Sequence, residues 1–429
     1  MQGLLFSYYG DDFTGATDVM ESLDLHGVKT VLFTRIPTNE ERRRFADYNA
    51  IGIAGTSRSE TPAWMDDNLP RHFAWLKSLE ARFCHYKVCS TFDSAPNIGS
   101  IGRATEIAAN IFRQRIIPLV AGAPQLKRYT AWGHLFAAYQ GQTYRIDRHP
   151  VMSRHPVTPM TESDLRIHLS HQTALPVTLI PASNIGAPDP ATQGIVLFDV
   201  LDPATQLEVG RQLLKLGPFV VGSSGINYAI VQALIAEGSL DPAVSFAPLN
   251  AVDRIIAISG SCSPTTARQI RHAMAHGYIG LAADPVALAG PDGETETKRL
   301  TADAIRSLQQ GYSVLVYTAL EPETLKSAAL DAIPDSRRRI GQSLGRIARE
   351  AIAICGLKRA IIAGGDTSSH ALGQLDIFAL TTRFPLRVSP GSPLCRAHSG
   401  NPALDGIEIA MKGGQVGHDD YFTLLRDGA

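Results

Sequence analysis

LLFSYYGDDFTGATDVMESLDLHGVKTVLF, residues 4–33, carries a pattern that recurs along the rest of the chain. The apolar run "LLFSYY" reads as a buried strand. Val19, Met20 and Leu23 then recur on one side of a helical pattern, Gly27 stops it, and "KTVLF" opens a second strand. That is a βαβ unit, and such units build parallel sheets. Asp11 and Asp12 stand side by side where the first strand gives way to the helix, at the mouth of the sheet. A helix cap, worth about 0.5–2 kcal/mol, explains one carboxylate and leaves its neighbour without a role. A ligand explains both: one carboxylate orients or deprotonates a substrate hydroxyl, and the other holds further hydroxyls or a magnesium ion.

The same alternation runs outward from this unit. Strands are expected at "AIGIAG", "HYKVCS", "IIPLVAG", "VTLIPA", "IVLFDV" and "PFVVGSS", with "GQTYRIDRHPVMSRHPVTPM" as an irregular excursion because of its three prolines. Residues 241–253, "DPAVSFAPLNAVD", lack periodicity and mark a domain boundary. Beyond it come "RIIAIS", a helix from Pro264, "YIGLAAD", a helical segment around 299–310 and "SVLVYTA". A long helix over about 335–355 follows, with Ile340, Leu344, Ile347 and Ala351 on one face, then "RAIIAGG" and "IEIAMKGG". The expected fold is α/β in two domains, 1–245 and 254–429. Each has a mainly parallel sheet flanked by helices, and the active site lies in the cleft between them.

Composition narrows the function. The 429 residues suffice for two full cores. Lys and Arg number 40 against 41 Asp and Glu, without a basic run longer than "RRR", so nucleic acid and anionic membrane are excluded as expected partners. Five scattered cysteines form no CxxC pair and suit a reducing cytoplasm. The opening "MQGLLFSYYGDD" has no cationic leader, and no apolar stretch approaches the ~18–20 residues of a membrane span, so a soluble, unprocessed cytoplasmic chain is expected. His149 and His155 lack the ligand pattern of a zinc site.

Three loops of the C-terminal half follow apolar strands. "AISGSCSPTTARQI" places Ser261 and Ser263 before Pro264, with Ser263 as helix cap, so free N–H groups and the helix dipole could hold phosphate without a lysine. "IIAGGDTSSHALGQL" offers Gly364 and Gly365, both able to take positive φ, with Asp366 and Thr367 beside them. "IAMKGGQVGHDDYF" carries Lys412, Gly413, Gly414 and Gly417. Tight turns use the same residues, but loops at the carboxyl ends of parallel strands converge on one crevice, which points to a nucleotide. Neither GxxxxGK[ST] nor GxGxxG occurs. In the N-terminal half, Arg58 follows "IGIAG", Lys87, Ser90 and Asp93 surround "YKVCS", and Ser223-Ser224 follow "FVVG". Either cation alone is expected at the solvated surface. Together with the two acids they suit a substrate bearing both a carboxylate and hydroxyls, a sugar acid.

"GDDFTGATD", "SGSCSPTT", "AGGDTSSHALGQL" and "AMKGGQVGHDDYF", in this order over nearly the whole chain, resemble the motifs of the four-carbon acid sugar kinase family. The resemblance implies an N-terminal acid-sugar domain, a C-terminal ATP domain, and phosphorylation of a tetronate or 3-oxo-tetronate hydroxyl with ATP and Mg2+. It assigns Asp11 and Asp12 to the sugar, and Ser261 or Ser263, the stretch Gly364 to Thr367, and Gly414 to ATP. Family members commonly carry a Lys-x-Asp-Ser-Thr-x-Arg-Gly motif, whereas this chain reads "YKVCSTFDSAPNIGSIG" without that arginine, and GGDT stands where many have GGET. The first departure resembles a subgroup acting on branched acid sugars such as 3-oxo-isoapionate. The implied partner is a small-molecule acid sugar, and a homodimer is the candidate assembly. A non-catalytic nucleotide or sugar-acid sensor and an NAD-dependent oxidoreductase of sugar acids stand as alternatives, the latter against the missing dinucleotide fingerprint.

Overall fold

The computed structural model describes residues 3–155, 157–186, 193–242, 244–320, 327–386, 389–414 and 416–428, and only the backbone of 327–328 and 366–368. The chain divides into two compact units, Met1–Val244 and Ser245–Ala429.

The N-terminal unit contains β1 (Phe6–Gly10), β2 (Thr30–Phe33), β3 (Ala50–Ala54), β4 (Phe83–Lys87), β5 (Ile116–Val120), β6 (Arg128–Ala131), β7 (His134–Tyr139), β8 (Gln142–Arg145), β9 (Val177–Ile180), β10 (Gly194–Phe198) and β11 (Phe219–Gly222). Eight of them form a parallel sheet in the order β2-β3-β1-β4-β11-β5-β10-β9. Strands β1, β3 and β4 are buried at every position, as two helix-covered faces demand. The eight expected strands are all present. The antiparallel trio β6-β7-β8 was not expected. Its turns, Trp132-Gly133 and Gln140-Gly141, have both residues at positive φ, the backbone twist that joins hairpin strands in two residues. The excursion at 141–160 therefore begins as β8 before passing into short 3-10 turns. There His149 Nδ1 accepts the backbone N–H groups of Val151 and Met152.

The C-terminal unit contains β12 (Ile256–Ser259), β13 (Tyr278–Ala282), β14 (Ser313–Tyr317), β15 (Arg359–Ala363), β16 (Ile377–Phe384), β17 (Leu394–Ser399) and β18 (Glu408–Lys412), ordered β13-β14-β12-β15-β18-β17-β16. The first five are parallel, and β17 and β16 add on antiparallel. The helix expected around 299–310 runs from Gly293 to Gln309. The long helix Ser336–Cys355 buries Ile340, Leu344, Ile347 and Ala351, the face its periodicity indicated, and ends at Gly356 with φ +61. No helix among the described residues is long and apolar enough to cross a membrane.

Arg359 opens β15 inside the core, its side chain 2% exposed, opposite its register partner Glu408 on β18. It donates to Glu408 Oε2 and to the carbonyls of Leu425 and Asn250, while Arg383 donates to Glu408 Oε1 and to the carbonyls of Ala247 and Pro248. One carboxylate thus ties the connecting segment 247–250 and the last helix to the sheet. Removing one member of a buried ion pair strands the others, at a cost of about 3–5 kcal/mol. Glu408→Ala should therefore weaken the C-terminal unit by that order. All three tryptophans, Trp64, Trp75 and Trp132, lie in the N-terminal unit. In urea, the circular-dichroism loss should then run ahead of the tryptophan fluorescence change.

Candidate active site

In the N-terminal unit, β3, β1, β4 and β11 end level with one another: Gly10 pairs with Ala54 and Lys87, and Lys87 with Gly222. The segments beyond these residues leave the sheet at one edge, tied by Asp11 N–H to the Lys87 carbonyl (2.9 Å) and Arg58 N–H to the Asp11 carbonyl (3.1 Å). Asp12 is the N-cap of the helix Phe13–Asp24, its Oδ1 accepting from Gly15 N–H at 2.6 Å. Its Oδ2 accepts from Arg58 Nη1 at 2.7 Å. Asp11 takes the other side of the same guanidinium, Oδ2 from Nε at 3.2 Å and Oδ1 from Nη2 at 3.0 Å. Arg58 thus offsets the repulsion between adjacent acids. Because the guanidinium and an amide occupy these oxygens, the pair is not presented as a magnesium site.

Lys87 is not at the surface: it is 2% exposed and sits 3.6 Å from Asp18 Oδ2. Its Nζ lies 3.0 Å from where a Cβ on Gly15 would stand, with Asp12 Oδ1 at 2.5 Å and Asp11 Oδ1 at 3.7 Å from the same point. The missing side chain at Gly15 is what lets the lysine approach the acidic pair. Three carboxylates, a guanidinium and an ammonium therefore share one partly closed site.

Burial raises the Asp11 carboxyl to about 6, against the pull of Arg58 and with a further push from Asp12. Burial likewise raises Asp18, against Lys87 and nearby Ser224. The Ser224 hydroxyl, beside the start of the helix Gly225–Ala236, makes no hydrogen bond of good geometry. Arg58 is held above its ordinary value because Asp11 and Asp12 outweigh the cost of burial.

Asp93 lies within electrostatic reach of Arg58 and accepts from Thr91 Oγ1 at 2.5 Å. Ser90 is buried in the same loop. Phe92 holds φ +59 here, a strained conformation for a bulky residue. Ser94, bonded to His168 Nε2 (2.8 Å) and to Gln172 Nε2 (2.9 Å), anchors the loop.

In the C-terminal unit, Ser259, Ala363 and Lys412 end level on β12, β15 and β18, so the three glycine and serine loops leave from one edge. Ser263 caps the helix Pro264–Ala275, accepting from Thr266 N–H. Its hydroxyl also donates to the Gly414 carbonyl, which accepts from Thr266 Oγ1 at 2.9 Å as well. Gln269 Nε2 donates to the carbonyls of Val416 and His418. A Cβ on Gly414 would come within 2.8 Å of Ser261 Oγ, so Ser261, Ser263 and Gly414 are in one place. Gly364 has φ +115, but Gly365 does not take positive φ; it is the first residue of the helix Gly365–Leu372. The side chains of Asp366 and Thr367 lie outside the described residues. Among the described residues no cluster of three or more His, Cys, Asp or Glu forms a metal cage.

Sequence reasoning missed Gly15, Asp18, Thr266 and Gln269. Gly15 and Asp18 lie about one and two turns beyond the acidic pair on the same helix, and Ser263, Thr266 and Gln269 are three apart, so helical spacing was the available signal.

Residues 6–230 match the family described as "Sugar-binding N-terminal domain" and residues 256–422 that described as "Nucleotide-binding C-terminal domain". The chain is 44% identical to a 3-oxo-isoapionate kinase of Paraburkholderia graminis, over 99% of this chain and 95% of the relative. It is 29% identical to a 3-oxo-tetronate kinase of Pseudomonas fluorescens, over 98% and 96%. A crystal structure of a Salmonella typhimurium LT2 protein shares the fold, with a TM-score of 0.77 at 24% identity over 97% of this chain and 98% of that one. These similarities favour a phosphotransferase over the sensor and the oxidoreductase. The chain belongs to the four-carbon acid sugar kinase family and is a kinase acting on a sugar-acid hydroxyl.

Proposed function

We propose that the enzyme is an ATP-dependent kinase of a branched 3-oxo acid sugar of the 3-oxo-isoapionate type. The observation that carries the substrate is the full-length 44% identity to a 3-oxo-isoapionate kinase, against 29% to a 3-oxo-tetronate kinase. The missing arginine in "YKVCSTFDSAPNIGSIG" agrees with it.

Phosphoryl transfer asks a protein for positioning and charge stabilisation more than for covalent chemistry. Both acids bond Arg58, but only Asp12 also caps the helix, so Asp11, with its raised proton affinity, is assigned to take the proton of the attacking hydroxyl. Asp12 fixes the frame around it. Arg58, its side chain 24% exposed, is the cation left within reach of the substrate carboxylate. Buried Lys87 acts on the acidic pair from behind, and Ser90 and Asp93 flank the sugar. The loops at Ser261–Ser263, Gly364–Thr367 and Gly414 hold the phosphates of ATP, the Gly414 carbonyl being turned to the side chains of Ser263 and Thr266. Magnesium, when bound on the phosphates, neutralises charge on the transferring group. The chemistry requires donor and acceptor to meet, so closure that excludes water would limit ATP hydrolysis without sugar.

A coupled ADP-release screen over straight and branched acid sugars of four and five carbons tests this reading. The highest kcat/KM should fall on a branched 3-oxo acid. A preference for a straight tetronate would overturn the substrate assignment, and brisk ADP release without sugar would count against closure.

Gly15→Ala should lower kcat/KM at least tenfold, because its Cβ would displace Asp12 or Lys87. The strained cap, worth about 0.5–2 kcal/mol, offsets the roughly 1 kcal/mol by which alanine is the better helix former, so the melting temperature should stay level or fall. Unchanged kinetics would show that the lysine's approach to the acids is immaterial.

A further inference from the structure

Lys412 ends β18 with its side chain wholly buried, 0% exposed. Its Nζ donates to Thr266 Oγ1 at 3.0 Å, and no carboxylate pairs with it among the described residues. Thr266 is the residue whose N–H the Ser263 cap satisfies and whose hydroxyl holds the Gly414 carbonyl. The ammonium therefore lies directly beneath the first turn of the helix Pro264–Ala275, where two of the phosphate loops meet. A buried cation without an anion is costly unless something else supplies the negative charge.

We propose that Lys412 is the built-in counter-cation of the nucleotide site, a positioning residue whose charge is balanced when the polyphosphate of ATP seats above it on Ser261–Ser263 and Gly414. The proposal rests on reading those loops as the ATP site. In the unliganded protein, burial pulls the Lys412 ammonium down to about 7. Thr266 faces it from the helix Pro264–Ala275, the Tyr421 ring from the last helix at 5.8 Å, and Ala363 is its register partner on β15. Tyr421 is the one titratable side chain against it among the described residues. A polyphosphate favours the charged lysine, so binding takes up a proton, and affinity falls as pH rises through about 7 toward the higher value of the complex.

The test is calorimetric titration of the full-length protein with ATP and magnesium at pH 8, where the nucleotide is fully ionised, in two buffers of different ionisation enthalpy. Wild type is expected to take up the larger part of a proton per ATP bound. Affinity should weaken by up to about tenfold from pH 7.5 to 8.5. Lys412→Met, which keeps the length of the chain, should bind ATP at least tenfold more weakly and lose that uptake. A purely packing role predicts weaker binding with the uptake intact. Wild-type binding with no proton uptake and no pH dependence overturns the proposal and needs no variant to fold. Absence of any ATP binding by wild type defeats the assignment of the ATP site itself, a distinguishable result.

Discussion

Asp11→Asn is expected to lower kcat by about a hundred- to ten-thousand-fold, the usual contribution of a positioned general base, while ATP still binds. The amide keeps the shape of the carboxylate and can remain against Arg58, but it cannot accept the proton of the attacking hydroxyl. The wild-type rate should fall on the acid side with a midpoint near 6, because the carboxyl is protonated below that pH and useless as a base. Asp11→Asn should lose this limb of the profile. Asp12→Asn should also lose turnover, through a loosened cap and frame, yet keep the limb. An Asp11→Asn enzyme with near wild-type turnover, or with an unaltered acid limb, would remove Asp11 from the role given to it.

Arg58→Met should have a comparable effect by a different route. The guanidinium holds both acids through three hydrogen bonds and pulls the Asp11 proton affinity down against burial. Without it two adjacent, nearly buried carboxylates repel each other, and Asp11 holds its proton to higher pH. At pH 7 kcat/KM should drop by about a thousandfold, the loss of a charge that both tunes the base and meets the substrate anion. The acid limb should move upward, so part of kcat returns in alkaline buffer while KM stays high. A loss equal at every pH would mean that Arg58 serves substrate binding alone.

The βαβ alternation was legible because parallel strands buried on both faces leave unbroken apolar runs such as "AIGIA" and "RAIIA", each closed by glycine or polar residues. The antiparallel pieces were not. Strands β6 to β8 carry mixed, half-exposed residues whose pattern is weak. The turns Trp132-Gly133 and Gln140-Gly141 were the stronger clue, since glycine in a two-residue loop marks a hairpin. β16 and β17 interrupt their apolar residues with Thr381, Thr382, Arg383, Arg396 and His398, so neither leaves an unbroken run.

At the site, the residue types and their common edge were readable, because strand ends place loops. Partnerships were not. Nothing local in "TSRSE" shows that Arg58 closes on residues 46 and 47 positions earlier, nor in "HYKVC" that Lys87 is buried against Asp18. Such pairings depend on strand order, β3-β1-β4, which emerges only when the sheet assembles. Gly365 shows the converse. A second glycine in a pair reads as a second flexible position, yet here it starts a helix.

Transfer of the labelled γ-phosphate of ATP tests the central claim most directly, with magnesium present and 3-oxo-isoapionate as acceptor. The label should appear in a sugar-acid phosphate, one for each ADP formed, and this product should nearly vanish with Asp11→Asn. Label released as inorganic phosphate at the same rate with or without the acid sugar would contradict it.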